Sequence, residues 1–116
     1  MKKSLVFLVV GMLCGPALWA QSIDRKEYNK GKNLFSDKCH VCHGKLGDGN
    51  GPAAGSLSSR PANFTNPKFW TNNVEKKIAD TIRSGSEEMP PFNLTPDQIR
   101  AIIFYMEHTF KKEGKG

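Results

Sequence analysis

At 116 residues the chain has room for one domain and not for two. Its 17 basic and 11 acidic side chains leave a mild positive excess spread along the sequence. The dense basic run or interleaved aromatic platform that nucleic-acid binding calls for is missing, so the charge suits docking to an acidic protein instead.

Met1 to Ala20 reads as a secretory signal. Lys2 and Lys3 form a positive start, Leu5 to Leu13 an apolar stretch, and Leu18-Trp19-Ala20 a cleavage site with small Ala20 last before the cut. Leu18 fits that site less well than a small residue would. The rival is an uncleaved membrane anchor, but Leu5 to Ala20 gives only 16 residues broken by Gly15-Pro16, against the ~20 needed to cross a bilayer. Bulky Leu13 also disfavours a lipid anchor on Cys14. The expected mature domain is therefore 21–116, with no stable membrane insertion after cleavage. It keeps 15 basic side chains (17 less Lys2 and Lys3) against 11 acidic ones, about +4. The tail Lys111 to Gly116 reads as frayed and solvated.

Asp24, with Glu27 three residues on, predicts a helix start. Tyr28, Gly31 and Phe35 follow at spacings of three and four, on one helical face. A glycine inside a helix costs about 1 kcal/mol relative to alanine, and close approach by another helix would justify it. From Gly44 to Pro67 the chain is rich in glycine and proline and poor in apolar residues, a loop of the kind that is functional or wrapped around something. Asn73 is placed to cap a helix in which Val74, Ile78 and Ile82 recur, ending at Gly85. Ser86 to Phe92 is expected to be extended because each proline pushes its predecessor out of the helical region.

The last helix is the clearest. Thr95, Pro96 and Gln98 make an N-cap, a first-position proline and a capping box, and Ile99, Ile102, Ile103, Met106 and Phe110 mark an apolar stripe. The expectation is an all-α domain of three or more helices, long loops and no strand. So short a chain buries only about two-thirds of its unfolded surface, and a large apolar body at its centre would help it fold.

Cys39-His40-Val41-Cys42-His43 supplies that body. On a helical turn residues i and i+3 share a face, so two thiols can add to neighbouring vinyl groups of one haem while His43 offers a nitrogen to the iron. This spacing is the attachment signature of c-type haem. A redox dithiol would follow a strand rather than a helix, a structural zinc site needs four ligands, and a disulfide leaves His43 unexplained. His40 reads as a spacer.

The candidates for the sixth iron ligand are Met89, Met106, His108 and a lysine. Met106 belongs to the core stripe and His108 to a surface near a fraying end. Met89 stands in a loop stiffened by Pro90 and Pro91, and is favoured over a gap-filling role. Histidine–methionine ligation raises the haem potential and leaves no open position, which suits electron transfer over oxygen chemistry.

With these residues the chain resembles class I cytochromes c, in particular small bacterial periplasmic monohaem proteins. The resemblance runs from about Tyr28 to Phe110 through Gly31, Phe35, the haem motif with Gly44, Gly47-Asp48-Gly49-Asn50-Gly51-Pro52, Met89-Pro90-Pro91-Phe92 and Tyr105. It implies a cytochrome c fold wrapped around one covalent haem c, with the first and last helices crossing where Gly31 and Phe35 meet Tyr105. It also implies that the Pro52 carbonyl accepts the other N–H of His43, and that Trp70 or Arg60 contacts a haem propionate, with packing as Trp70's other role. A calcium reading of Asp48 to Pro52 fails because Pro52 stands where a loop oxygen is needed.

The functional expectation is a periplasmic one-electron carrier, not an enzyme, meeting redox proteins transiently through acidic docking surfaces. Lys38 and Lys45 beside the motif are candidate steering charges. A dedicated haem subunit or donor in an oxidoreductase complex is the alternative. A peroxidase or gas sensor would need an open sixth position.

Overall fold

The computed structural model describes Val6, Gly11 and residues 17–112. Most of the expected signal, its apolar stretch and Cys14 included, lies outside the described residues, as does the tail from Glu113 onward. Among the described residues four α-helices form: α1 (Ala17–Lys38), α2 (His40–His43), α3 (Val74–Ser84) and α4 (Pro96–Phe110). Ala54–Ser56 and Pro67–Phe69 add short 3-10 turns, and none of the helices is long and apolar enough to cross a membrane.

α1 does not start at Asp24. It begins at Ala17 and runs through the expected cleavage point. Once a helix is nucleated each further residue adds a hydrogen bond at little cost, so the Asp24–Glu27 pair sits inside the helix rather than ending it. Gly31 lies where α1 crosses α4. A Cβ built there would fall 1.9 Å from the Ala101 carbonyl oxygen and 2.8 Å from Tyr105 Cβ. Aromatic rings fill both sides of the crossing, with Tyr105 5.2 Å from Tyr28 and 5.4 Å from Phe35 between ring centres. The Tyr28 and Thr109 hydroxyls bond across it at 3.1 Å.

α4 starts as its sequence predicts. The Thr95 hydroxyl accepts from the Gln98 N–H at 3.2 Å and the Gln98 side chain accepts from the Thr95 N–H at 2.9 Å. Its buried face carries Ile99, Ala101, Ile102, Ile103, Tyr105, Met106 and Phe110. α3 packs on it through Val74, Ile78 and Ile82. Asn73 occupies the N-cap position of α3 but makes no side-chain cap. It takes the left-handed conformation at φ 64°, which asparagine tolerates better than most residues.

Between α2 and α3 the glycine-rich segment folds back on the haem motif by backbone bonds. Gly49 N–H donates to His43 O, Gly51 N–H to Cys42 O and Ala53 N–H to Val41 O, at 2.9, 3.0 and 2.8 Å. Phe64 then enters the core, ringed by Phe35, Phe69 and Phe110. The stretch 86–92 is not extended throughout. Ser86 and Met89 pair their backbones in a tight turn, N to O at 3.0 and 2.7 Å. Pro90 and Pro91 restrict only their own predecessors, which leaves Ser86 to Glu88 free to turn.

Candidate haem site

The end of α1 leads straight into the motif. Cys39 N–H donates to Phe35 O at 2.9 Å, and Cys39 O then accepts from Cys42 N–H at 3.3 Å and His43 N–H at 3.0 Å. This one turn brings Cys39, Cys42 and His43 to the wall of a cavity of about 500 Å³, inside the ~300–1,000 Å³ range of cofactor sites. α3 and α4 supply its apolar wall with Ile78, Ile82, Ile102 and Met106, and the loop before α4 supplies Met89.

Cys39 and Cys42 are half-buried and form no disulfide with each other. Burial pushes the Cys39 thiol up to about 11, against the lowering influence of Lys38. A redox dithiol works through a thiol shifted the other way, so this buried setting does not favour disulfide exchange.

His43 is fixed on two sides. Its Nδ1 lies 3.2 Å from the Ala62 carbonyl oxygen. A carbonyl only accepts, so Nδ1 carries the proton and Nε2 keeps its lone pair. Burial holds the imidazole below its usual pKa, outweighing the raising effect of the Ala62 bond. The ring stacks on Phe64 at 4.6 Å between centres and 22° between planes. A neutral, oriented ring with a free Nε2 is what an iron ligand requires.

That carbonyl was expected from Pro52, and the structure corrects this. The backbone bonds of Gly51 and Ala53 press the 51–53 stretch onto the carbonyl side of the motif and leave the Pro52 side chain exposed. The chain comes round to His43 ten residues later, at Ala62. Of its two expected roles, Trp70 takes the packing one. It does not line the cavity, and its indole N–H is spent on the Phe64 carbonyl at 2.7 Å. Packed edge-on against Phe69, it braces the Phe64 wall from behind. Arg60 does line the cavity and donates to the Asn50 side-chain oxygen at 2.6 Å.

Among the sixth-ligand candidates, His108 is turned away, bonded to its own helix at Phe104 O over 2.8 Å. Met106 lines the cavity but is 3% exposed in the middle of α4 and embedded in the core. Met89 lines it from a loop whose backbone is closed on Ser86. Gly85, at φ 73°, makes that closure possible, because a Cβ there would meet the Met89 carbonyl oxygen at 2.7 Å.

Phe64 and Ala62 were not singled out in the sequence. A lone phenylalanine in a glycine-proline loop was the available signal for the first. Ala62 acts through its backbone and leaves no side-chain trace.

The family model described as Cytochrome c matches residues 28–110. The chain belongs to the cytochrome c family. No curated protein and no solved structure matches it beyond that. As a cytochrome c it binds one covalent haem c with its iron, and its activity is haem-based electron transfer. The residues present fit that group: two thiols one helical turn apart, a neutral histidine and a thioether share one largely apolar cavity. Membership also agrees with the all-α architecture and with the crossing of α1 and α4 at Gly31.

Proposed function

We propose that this cytochrome c is an exported, diffusible one-electron carrier and not an enzyme, with Cys39 and Cys42 holding the haem and His43 and Met89 as axial ligands of its iron. The carrying observation is that these four side chains line one cavity while His43 is held as the Nδ1–H tautomer. When bound, the haem supplies a reversible one-electron couple at its iron. Ala62 and Phe64 keep the His43 ring from rotating, and the Ser86–Met89 turn keeps the thioether near the cavity wall. With both ligands pre-positioned, little protein rearrangement accompanies a change of charge. The apolar wall from α3 and α4 excludes water, which favours the less charged, reduced state.

Export rests on Met1 to Ala20 as a cleaved signal, with the bacterial periplasm as destination. Redox proteins with acidic surfaces are the partners this reading implies, steered by Lys38 and Lys45. The test is the spectrum of the oxidised protein, in which iron–methionine sulfur ligation gives a weak far-red band. Met89→Ala abolishes the band and Met106→Ala keeps it. Persistence of the band in Met89→Ala refutes the ligand assignment.

A further inference from the structure

Two loops from distant parts of the chain reach the haem cavity and are tied together at their tips. One, 57–62, ends at Ala62, whose carbonyl holds the His43 ring. The other, 85–92, carries Met89. The Ser59 hydroxyl donates to a Glu87 carboxylate oxygen at 2.8 Å, and the Ser59 backbone N–H donates to a Glu88 carboxylate oxygen at 3.2 Å. Among the described residues no other hydrogen bonds join these two loops.

The Met89 turn has a firm base and an exposed tip. Its base is the Ser86–Met89 backbone pair together with Phe92 N–H donating to Ile82 O at 2.8 Å. At its tip Glu87 sits at φ 49°, in left-handed backbone that a side chain with a Cβ adopts only with outside support. Ser59 holds Glu87 and Glu88 from 28 and 29 residues away in sequence.

We propose that the clasp of Ser59 with Glu87 and Glu88 is a positioning device that holds the Met89 loop closed over the haem, coupling it to the loop that orients His43. The proposal rests on the reading of Met89 as an iron ligand. A thioether is a neutral, soft ligand, so how often the sixth position opens follows the loop's own opening equilibrium. Exposed hydrogen bonds are each modest, but here two act at the one place where the two loops meet.

The test uses the intact haem-loaded protein and reads carbon monoxide binding to the reduced form, which needs the sixth position open. Ser59→Ala and Glu87→Ala are each expected to speed binding about 2- to 10-fold. The double variant should be no faster than the faster single one, since both break the same bond. Ser59→Thr keeps the hydroxyl and should bind at the wild-type rate. The far-red band should persist in all of them. Asp97→Ala, which removes the exposed ion pair with Arg100 on α4, should leave the rate unchanged and so separate positioning from general loss of surface contacts. If Ser59→Ala and Glu87→Ala bind carbon monoxide at the wild-type rate with the band intact, the clasp is overturned and Met89 ligation stands. If the wild type lacks the band and Met89→Ala does not alter its binding rate, both are overturned.

Discussion

Gly31 and Ala101 meet backbone to backbone: a Cβ on Gly31 would stand 1.9 Å from the Ala101 carbonyl oxygen. No side-chain movement relieves that overlap, because the obstructing atom belongs to the α4 backbone. Gly31→Ala therefore separates the helices although alanine is the better helix former by about 1 kcal/mol. Overpacking of this kind costs about 1–3 kcal/mol or more, and the net effect is a lower thermal midpoint. At about 4–8 °C per kcal/mol for a domain of this size, calorimetry resolves it. A midpoint equal to wild type would mean the crossing is looser than this.

Phe64 joins the wall behind His43 to the main core. It is 7% exposed, lies on the His43 ring and touches Phe35, Phe69 and Phe110. Phe64→Ala is expected to destabilise by about 3–5 kcal/mol, read as a lower denaturant midpoint. Leu46→Ala, at a residue 72% exposed, should stay within about 0.5 kcal/mol of wild type. Equal losses from the two would remove Phe64 from the core.

Trp70 separates a haem-contacting role from a structural one. Its indole N–H bonds the Phe64 carbonyl from outside the cavity. Trp70→Phe keeps an aromatic ring but leaves that carbonyl without its partner, at a cost of about 1–3 kcal/mol. The reduction potential and haem spectrum should not change. A shifted potential at unchanged stability would put Trp70 back beside the haem.

Lys45 is exposed, and Lys38 is half-buried beside Asp37 at 3.3 Å on the cavity rim. If they steer docking, Lys38→Ala and Lys45→Ala each slow association with an acidic redox partner by a factor of about 2–5, the scale of an exposed charge pair at ~0.5–1 kcal/mol. The slowing should vanish as salt rises, because the Debye length falls from ~10 Å at 0.1 M to ~3 Å at 1 M. Stopped-flow rates across ionic strength measure this, and a salt-independent wild-type rate would rule steering out.

The capping box of α4, the apolar stripes of α3 and α4 and the Cys39–Cys42–His43 turn all depend on residues three or four apart, and such contacts are settled within one helical turn whatever the rest of the chain does. The sequence by itself therefore determined the helices, the haem motif and, through the costly Gly31, the existence of a close helix crossing. It did not determine where α1 begins, because elongation overrode the Asp24 signal. Only the tertiary structure decided which carbonyl meets His43, 19 residues along the chain, that Phe64 lies against that ring while Trp70 packs behind it, and that Ser59 bonds Glu87 and Glu88, 28 and 29 residues away, beside Met89. Those pairings depend on the path of a glycine-rich segment held by backbone hydrogen bonds, which every residue but proline can make and which therefore leave no mark in the side-chain pattern.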